Sequence, residues 1–110
     1  MNDCLFCRIV SGEIPSRKVF EDDATFAFED IAPRAPVHIL IVPRKHSARI
    51  ADAVDAGELG RLFLTATRIA RERGLTDYRL VVNNGEGAGQ SVFHLHVHLL
   101  GGRPMSWPPG

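Results

Sequence analysis

The sequence has no excess charge of either sign and no long apolar run. Lys and Arg number 13 together, as do Asp and Glu. Proteins that bind nucleic-acid backbones or anionic membranes usually carry a basic excess, so this balance disfavours both partners. No apolar run approaches the ~20 residues that cross a bilayer, and MNDCLFCRIVSGE lacks the basic start and cleavage site of a secretory signal. We therefore expect a cytoplasmic protein that binds neither nucleic acid nor membrane.

Cysteine is also scarce, with only Cys4 and Cys7 in the chain. These two lie too close together to cross-link distant segments, and a reducing compartment would keep them as thiols. The chain has no internal repeat or linker, so residues 1–110 are expected to form one domain. A domain of this length can bury its own core, which makes a metal ion optional for folding.

The hydrophobic patterns predict an α+β protein with a mainly antiparallel sheet of about five strands. FCRIVSG is typical of a short helix ending at Gly12, KVFEDDATFAFED of a hairpin turning at EDD, and VHILIVP of a buried strand closed by Pro43. A long helix is predicted from the capping residue Asp55, with Glu58 in the first turn, to Gly74. YRLVVNN and SVFHLHVHLL are the last two predicted strands, joined by a glycine-rich loop.

The segment SVFHLHVHLL alternates strictly between apolar residues and histidines from Phe93 to Leu99. In a strand this pattern gives one apolar face and places His94, His96 and His98 together on the other. Side chains two residues apart are separated by ~6.6 Å and those four apart by ~13 Å, whereas a zinc-bound nitrogen lies ~2 Å from its ion. One ion cannot hold all three rings, so the row favours separate roles and a catalytic site over a three-histidine metal cage.

The loop before this segment suits a phosphate. Glycines let backbone N–H groups approach a ligand closely, and neighbouring polar side chains add hydrogen-bonding partners. These residues are Gly85, Gly87 and Gly89, with Asn83, Gln90 and Ser91. A neutral imidazole can attack phosphorus when a backbone carbonyl holds one ring nitrogen as N–H, so no metal is required for the chemistry.

HLHVHLL, preceded by GQSVFH, resembles the signature of the histidine-triad (HIT) nucleotide-binding proteins. The resemblance runs through FCRIVSGEIPSRKVFEDD, FEDIAPRAPVHILIVPRKH and VVNNGEGAGQSVFHLHVHLLGGRPMSWPPG, and the ending WPPG is similar to the branch that hydrolyses purine nucleoside phosphoramidates. It implies a HIT-like α+β fold whose sheet continues edge to edge across a homodimer. It also implies one purine nucleotide site in each protomer, for derivatives of AMP or GMP.

The resemblance assigns roles to particular residues. His96 would form the nucleotidylated intermediate, His98 would bind the phosphate, and His94 and His38 would orient the nucleophile. Asn83, Gly89 and Ser91 match positions that hold the phosphate or the leaving amine, Asp30 matches the ribose-binding carboxylate, and Phe6, Ile9, Ile14, Phe28 and Ile31 match the walls around the base. Without the resemblance, those five apolar residues would be ordinary core. Trp107 would cross the dimer and line the partner's leaving-group pocket, although Ser106 stands where relatives often have histidine.

The motif CLFC, which many relatives lack, predicts a structural zinc site. Two thiolates spaced as Cys4 and Cys7 need two more ligands, and His46 with His94 would complete a tetrahedral set. Thiols without a metal are the alternative, and a thioredoxin-like redox role is disfavoured because no βαβ pattern surrounds the motif. A zinc ion on His94 would prevent that ring from acting as an acid or base.

The leading functional prediction is hydrolysis of nucleoside 5′-phosphoramidates or acyl-adenylates through a nucleotidyl-histidine. Three alternatives remain open at the level of sequence. The chain could cleave dinucleoside polyphosphates, as a neighbouring branch does, or it could be a nucleotide-binding regulatory protein. It could also be a zinc-dependent hydrolase that uses the histidine row as ligands.

Overall fold

Within the described part of the chain, five antiparallel strands form one sheet. In the computed structural model, which describes residues 3–110, the sheet order is β1-β2-β3-β5-β4, and every neighbouring pair is antiparallel. The strands are β1 (Lys18–Glu21), β2 (Thr25–Glu29), β3 (Val37–Pro43), β4 (Tyr78–Val81) and β5 (Val97–Gly101). The predicted α+β class and the number of strands are confirmed.

Two helices accompany the sheet, α1 (Leu5–Val10) and α2 (Ala56–Glu72). Asp55 caps α2 as predicted, because its carboxylate accepts hydrogen bonds from the N–H groups of Gly57 (2.8 Å) and Glu58 (3.3 Å). Gly74 follows the helix with φ of +72°, a conformation that glycine adopts without strain. Two short 3₁₀ helices, Ile50–Asp52 and Glu86–Ala88, were not predicted.

The two faces of the sheet are covered by different elements. Helix α2 packs on one face and α1 on the other. On the α2 face, the fully buried side chains include Ile39, Ile41, Val97 and Leu99 of the strands and Leu62 and Ile69 of the helix. On the α1 face, Phe26, Phe28, Leu40 and Val42 of the strands pack with Phe6 and Ile9 of the helix. Because strand side chains alternate between faces, His38 and His98 lie on the α1 face, which carries the site.

The last strand is shorter than predicted, since it begins at Val97 instead of running from residue 91. The Leu95 N–H donates to the carbonyl of Ser47 (2.6 Å), outside the strand ladders, and the carbonyl of His94 accepts a bond from the His96 ring (2.7 Å). These main-chain groups are therefore not used in strand pairing. The predicted apolar face also fails at Phe93, whose surface is 43 % exposed.

The C-terminal segment after β5 is tied to the edge strand β4. The Arg79 guanidinium donates to the carbonyl of Ser106 (2.8 Å) and lies over the Trp107 ring, 5.9 Å from its centroid. Trp107 is nevertheless 81 % exposed, so this large apolar side chain is not buried within one protomer. Its placement against a partner subunit stays a prediction.

None of the helices within residues 3–110 has the length and apolar character needed to cross a membrane.

Replacing Asp55 with alanine should destabilise the chain by about 1 kcal/mol, because the N–H groups at the start of α2 lose their acceptor. Asp55→Asn keeps an acceptor and should stay within a few tenths of a kcal/mol of the native protein. Urea denaturation at one fixed protein concentration measures both variants. Equal stability of Asp55→Ala and native protein would show that this cap contributes nothing.

Candidate active site

A cavity of about 290 Å³ opens on the α1 face of the sheet. Apolar side chains supply much of its lining, and Asp30, Ser91, His96 and His98 contribute polar groups. Nine residues predicted for the site meet there: Phe6, Ile9, Ile14, Phe28, Asp30, Ile31, Ser91, His96 and His98. An apolar cleft with a few converging polar groups is the usual form of a small-molecule site.

His96 is held with one ring nitrogen available. Its Nδ1–H donates to the backbone carbonyl of His94 at 2.7 Å, so the lone pair of the neutral ring lies on Nε2. The ring is buried, and the edge contact with Phe6 has a centroid distance of 5.0 Å. Burial lowers the pKa of His96, although the carbonyl of His94 opposes this shift. Near neutral pH the Nε2 atom is therefore unprotonated and can act as a base or a nucleophile.

His98 belongs to a chain of hydrogen bonds that fixes its tautomer. The backbone N–H of Arg34 donates to Nδ1 of His38 at 3.0 Å, so the proton of neutral His38 must lie on Nε2. That nitrogen lies 2.9 Å from Nδ1 of His98 and donates to it. The proton of neutral His98 consequently lies on Nε2, which makes this atom a hydrogen-bond donor.

The same rings stay neutral because they are desolvated. Burial, aided by the nearby rings of His96 and His38, lowers the pKa of His98 to about 4. Burial also lowers the pKa of His38, although the carboxylate of Asp30, 3.4 Å from its Nε2, opposes the shift. The ring centroids of His96 and His98 are 4.9 Å apart, so a ring with an unprotonated nitrogen and a ring with a donor N–H are neighbours. This pair can attack a phosphorus atom while donating to one of its oxygens.

A second cluster contains the predicted zinc ligands. Nδ1 of His94 lies 3.3 Å from Cys4 Sγ, 3.4 Å from Cys7 Sγ and 3.3 Å from His46 Nδ1. His46 Nδ1 is also 3.4 Å from Cys7 Sγ, and the four ligand atoms all lie within 4.8 Å of one another. Donor atoms around a tetrahedral zinc are about 3.3–3.8 Å apart, given bonds of about 2.0–2.3 Å. The cluster is therefore compatible with zinc.

The tautomer of His94 also fits a metal ligand. Its Nε2–H donates to the carbonyl of Pro43 at 2.8 Å, which leaves the lone pair on Nδ1 directed at the thiols and His46. Burial is the main cause of its lowered pKa, so the ring is neutral near pH 7, as ligation requires. The row of three histidines thus divides between two sites, and no single ion could serve all three.

A group formed by Asp30, His38 and His98 has its ligand atoms equally close, but it is already hydrogen-bonded. The 2.9 Å contact between the two rings needs a proton between the nitrogens, and the Asp30 Oδ1 atom accepts the N–H of Ala32 at 2.8 Å. The Nδ1 lone pairs of both rings, which a metal would need, already accept hydrogen bonds. This group is better described as a relay that fixes ring tautomers.

Several residues predicted to bind the nucleotide, most of them in or beside the glycine-rich loop, do not line the cavity. Gln90 is buried, its Oε1 accepts the N–H of Gly85, and its Nε2 donates to two backbone carbonyls, so the side chain braces the loop. The amide of Asn83 lies beside Gly89, whose φ of +98° favours glycine. In the part of the chain that the structure describes, Gln90, Asn83, Gly89 and Trp107 do not line the cavity. Their predicted contacts with a nucleotide stay predictions.

Sequence reasoning missed two groups that orient the histidines, the N–H of Arg34 and the carbonyl of Pro43. Both are main-chain atoms, which every residue position offers, so no residue type marks them. It also missed six residues of the cavity lining: Leu5, Pro15, Ser16, Glu29, Leu40 and Val92. Each of these lies within two positions of a predicted site residue, and that proximity was a usable signal.

Comparisons with known proteins, by sequence and by structure, agree on one family. A family model described as the HIT domain matches residues 11–105. The crystal structure of a HIT family hydrolase from Legionella pneumophila has a TM-score of 0.95 and 51 % identity, covering 98 % of this chain and 100 % of that one. A 14 kDa zinc-binding protein of Brassica juncea is 47 % identical, over 98 % of this chain and all of the relative. An adenylylsulfatase of Arabidopsis thaliana is 48 % identical, over 96 % of this chain and 76 % of the relative.

Nitrogen-15 NMR of the histidine rings tests the relay directly. We expect His98 to remain neutral, with its proton on Nε2, as the pH falls through 6.5, and to titrate with a midpoint near 4. His38→Gln serves as a comparison, because it removes the ring that donates to Nδ1 of His98. A midpoint at or above 6.5 in the native protein, or a proton on Nδ1 of neutral His98, would contradict the assigned network.

Proposed function

Because the chain belongs to the HIT domain family, we propose that it is a nucleotide-binding hydrolase that cleaves purine nucleoside 5′-phosphoramidates, such as AMP-amine or AMP-lysine, or acyl-adenylates. The observation that carries this proposal is the neutral His96 ring, with Nδ1–H on a carbonyl and Nε2 beside the donor ring of His98. The adenylylsulfatase relative supports a substrate in which AMP carries a leaving group on phosphorus, and adenylyl sulfate therefore joins the candidates.

The proposed reaction has two steps at phosphorus. Nε2 of His96 attacks, the bond from phosphorus to the leaving group breaks, and a departing amine takes up one proton from water. The ring then carries a positive charge, which the carbonyl of His94 stabilises through Nδ1–H. Water next attacks phosphorus, the bond to Nε2 breaks, AMP is released, and one proton returns to solvent. Through both steps Nε2–H of His98 donates to a phosphate oxygen.

The rest of the cavity suits the nucleoside. Asp30 retains one oxygen that is not bonded to a backbone N–H, and it can accept from a ribose hydroxyl. Phe6, Phe28 and Ile9 offer apolar surface for a purine base, with Ile14 and Ile31 at the border. Apolar walls of this kind accept adenine and guanine alike.

We extend the proposal to a homodimer with a continuous sheet. Strand β4 forms one edge of the described sheet, and the C-terminal segment is tied to it through Arg79. The exposed Trp107 ring would then gain its burial from the partner subunit, beside that subunit's leaving-group pocket.

His96→Gly should lower kcat/KM by about 10³-fold or more while AMP still binds, because the ring is the attacking group. Asp30→Ala provides the contrast, since it should weaken ribonucleotide binding and leave the attacking nitrogen in place. Turnover of an adenosine phosphoramidate and calorimetric binding of AMP measure the two effects. Residual turnover of His96→Gly within about tenfold of native protein, a barrier change of only about 1.4 kcal/mol, would refute its role as nucleophile.

A substrate panel decides the class of reaction. The panel compares kcat/KM for phosphoramidates, acyl-adenylates, adenylyl sulfate and diadenosine polyphosphates, because differential transition-state binding defines specificity. The proposal requires one of the first three classes to be preferred. Preference for diadenosine polyphosphates would favour the neighbouring branch, and nucleotide binding without turnover of any compound would favour a regulatory role.

We also propose that Cys4, Cys7, His46 and His94 hold one structural zinc ion, supported by the donor distances and by the zinc-binding relative. The ion would join α1 to the loop after β3 and to the segment before β5. The chemistry at phosphorus uses no zinc, since the ligands of this cluster do not include His96 or His98.

Metal analysis of protein purified without a histidine tag should find about one zinc per chain. Replacing both Cys4 and Cys7 with serine should abolish zinc binding and lower the melting temperature, because bound metal stabilises the folded state. His96→Gly is the matched control and should retain the metal. Native protein that contains no zinc, and whose melting temperature does not change when zinc is added, would rule out the site.

A further inference from the structure

Helix α1 depends on other parts of the chain for its position. A helix of six residues is too short to be stable by itself in water. One side of α1 presents Cys7, with the capping residue Cys4, to His46 and His94. The segments that carry His46 and His94, which are far apart in sequence, therefore meet the beginning of the helix at a single cluster of donor atoms.

The same short helix forms part of the cavity wall. Leu5, Phe6 and Ile9 line the cavity, and Phe6 lies in sequence between the two cysteines. The Phe6 ring is 5 % exposed and contacts the rings of Phe28 (centroid distance 5.3 Å) and His96 (5.0 Å). A displacement of α1 would consequently move an aromatic wall of the cavity along with the thiols.

We propose that Cys4 and Cys7 are positioning residues for the nucleotide, because a metal ion on the cluster fixes α1 and, through Phe6, the wall against which the base packs. This inference rests on the proposed function, since it requires a nucleotide in the cavity. Metal and nucleotide then bind cooperatively, although they occupy different sites.

Cooperative binding has a required symmetry. If the metal raises the affinity for nucleotide by some factor, the nucleotide must raise the affinity for metal by the same factor. Couplings of this kind typically change affinity by about 5- to 150-fold. The test follows AMP binding and not turnover, because the carbonyl that sets the tautomer of His96 belongs to His94, which is itself a member of the cluster.

The test measures AMP binding to the native chain by calorimetry, once loaded with zinc and once stripped by a chelator that is then removed. Zinc-free protein should bind AMP at least about fivefold more weakly. Competition with a chromophoric chelator, with and without saturating AMP, should give the same factor for zinc affinity. Circular dichroism of both forms shows whether the fold is retained.

Two variants locate the coupling. His46→Asn removes an exposed ligand that lies outside α1 and the cavity, so it should weaken zinc binding. At limiting zinc its affinity for AMP should therefore fall to that of zinc-free protein. Phe6→Ala removes the aromatic wall, so it should weaken AMP binding in both forms and bring the ratio of the two affinities close to one.

Each remaining outcome is decisive. Equal AMP affinity of folded zinc-loaded and zinc-free protein overturns the inference and leaves the proposed function standing. Failure of the zinc-loaded protein to bind AMP or any other purine nucleotide overturns the proposed function itself. A chain that takes up no zinc, or one that unfolds when zinc is removed, also overturns the inference, because the cluster is then either unused or needed only for folding.

Discussion

The hydrogen bond from His96 Nδ1–H to the carbonyl of His94 is the contact on which the proposed chemistry depends. A neutral imidazole has one proton, and this bond places it on the nitrogen facing away from a substrate. The ring of the same His94 points into the cysteine cluster and is held by Pro43. His94 therefore orients the proposed nucleophile through its main chain and belongs to the proposed metal site through its side chain. The irregular backbone before β5 lets it do both.

Much of the fold could be predicted because local periodicity and capping agree with the tertiary structure. Asp55 and Gly74 bracket α2, and alternation in β3 divides Ile39 and Ile41 from Leu40 between the two sheet faces. The same periodicity was misleading from residue 91 to residue 96, where long-range contacts take the main-chain groups out of the sheet. Alternation records which side chains are buried, and it does not show what their backbone binds.

The composition of the site was more accessible to sequence reasoning than its hydrogen bonding. The resemblance named nine of the residues that line the cavity, and the spacing of Cys4 and Cys7 pointed to the four-residue cluster. The relay from Arg34 through His38 to His98 could not be found in this way, because it begins at a backbone N–H. Gln90 illustrates the converse case, in which a polar residue of a promising loop bonds to the loop itself.

The neutrality of the buried histidines affects how the site attracts its ligand. Among the described residues lining the cavity, none is Lys or Arg, and His98, with a pKa of about 4, carries no charge under physiological conditions. The phosphate of the proposed nucleotide would therefore meet N–H dipoles in place of a fixed cation. Dipoles act over short distances, whereas attraction between separated charges is screened over about 8 Å at physiological ionic strength. The ionisable groups of the described lining other than histidine are the carboxylates of Glu29 and Asp30, so the lining offers a phosphate no long-range attraction for salt to screen.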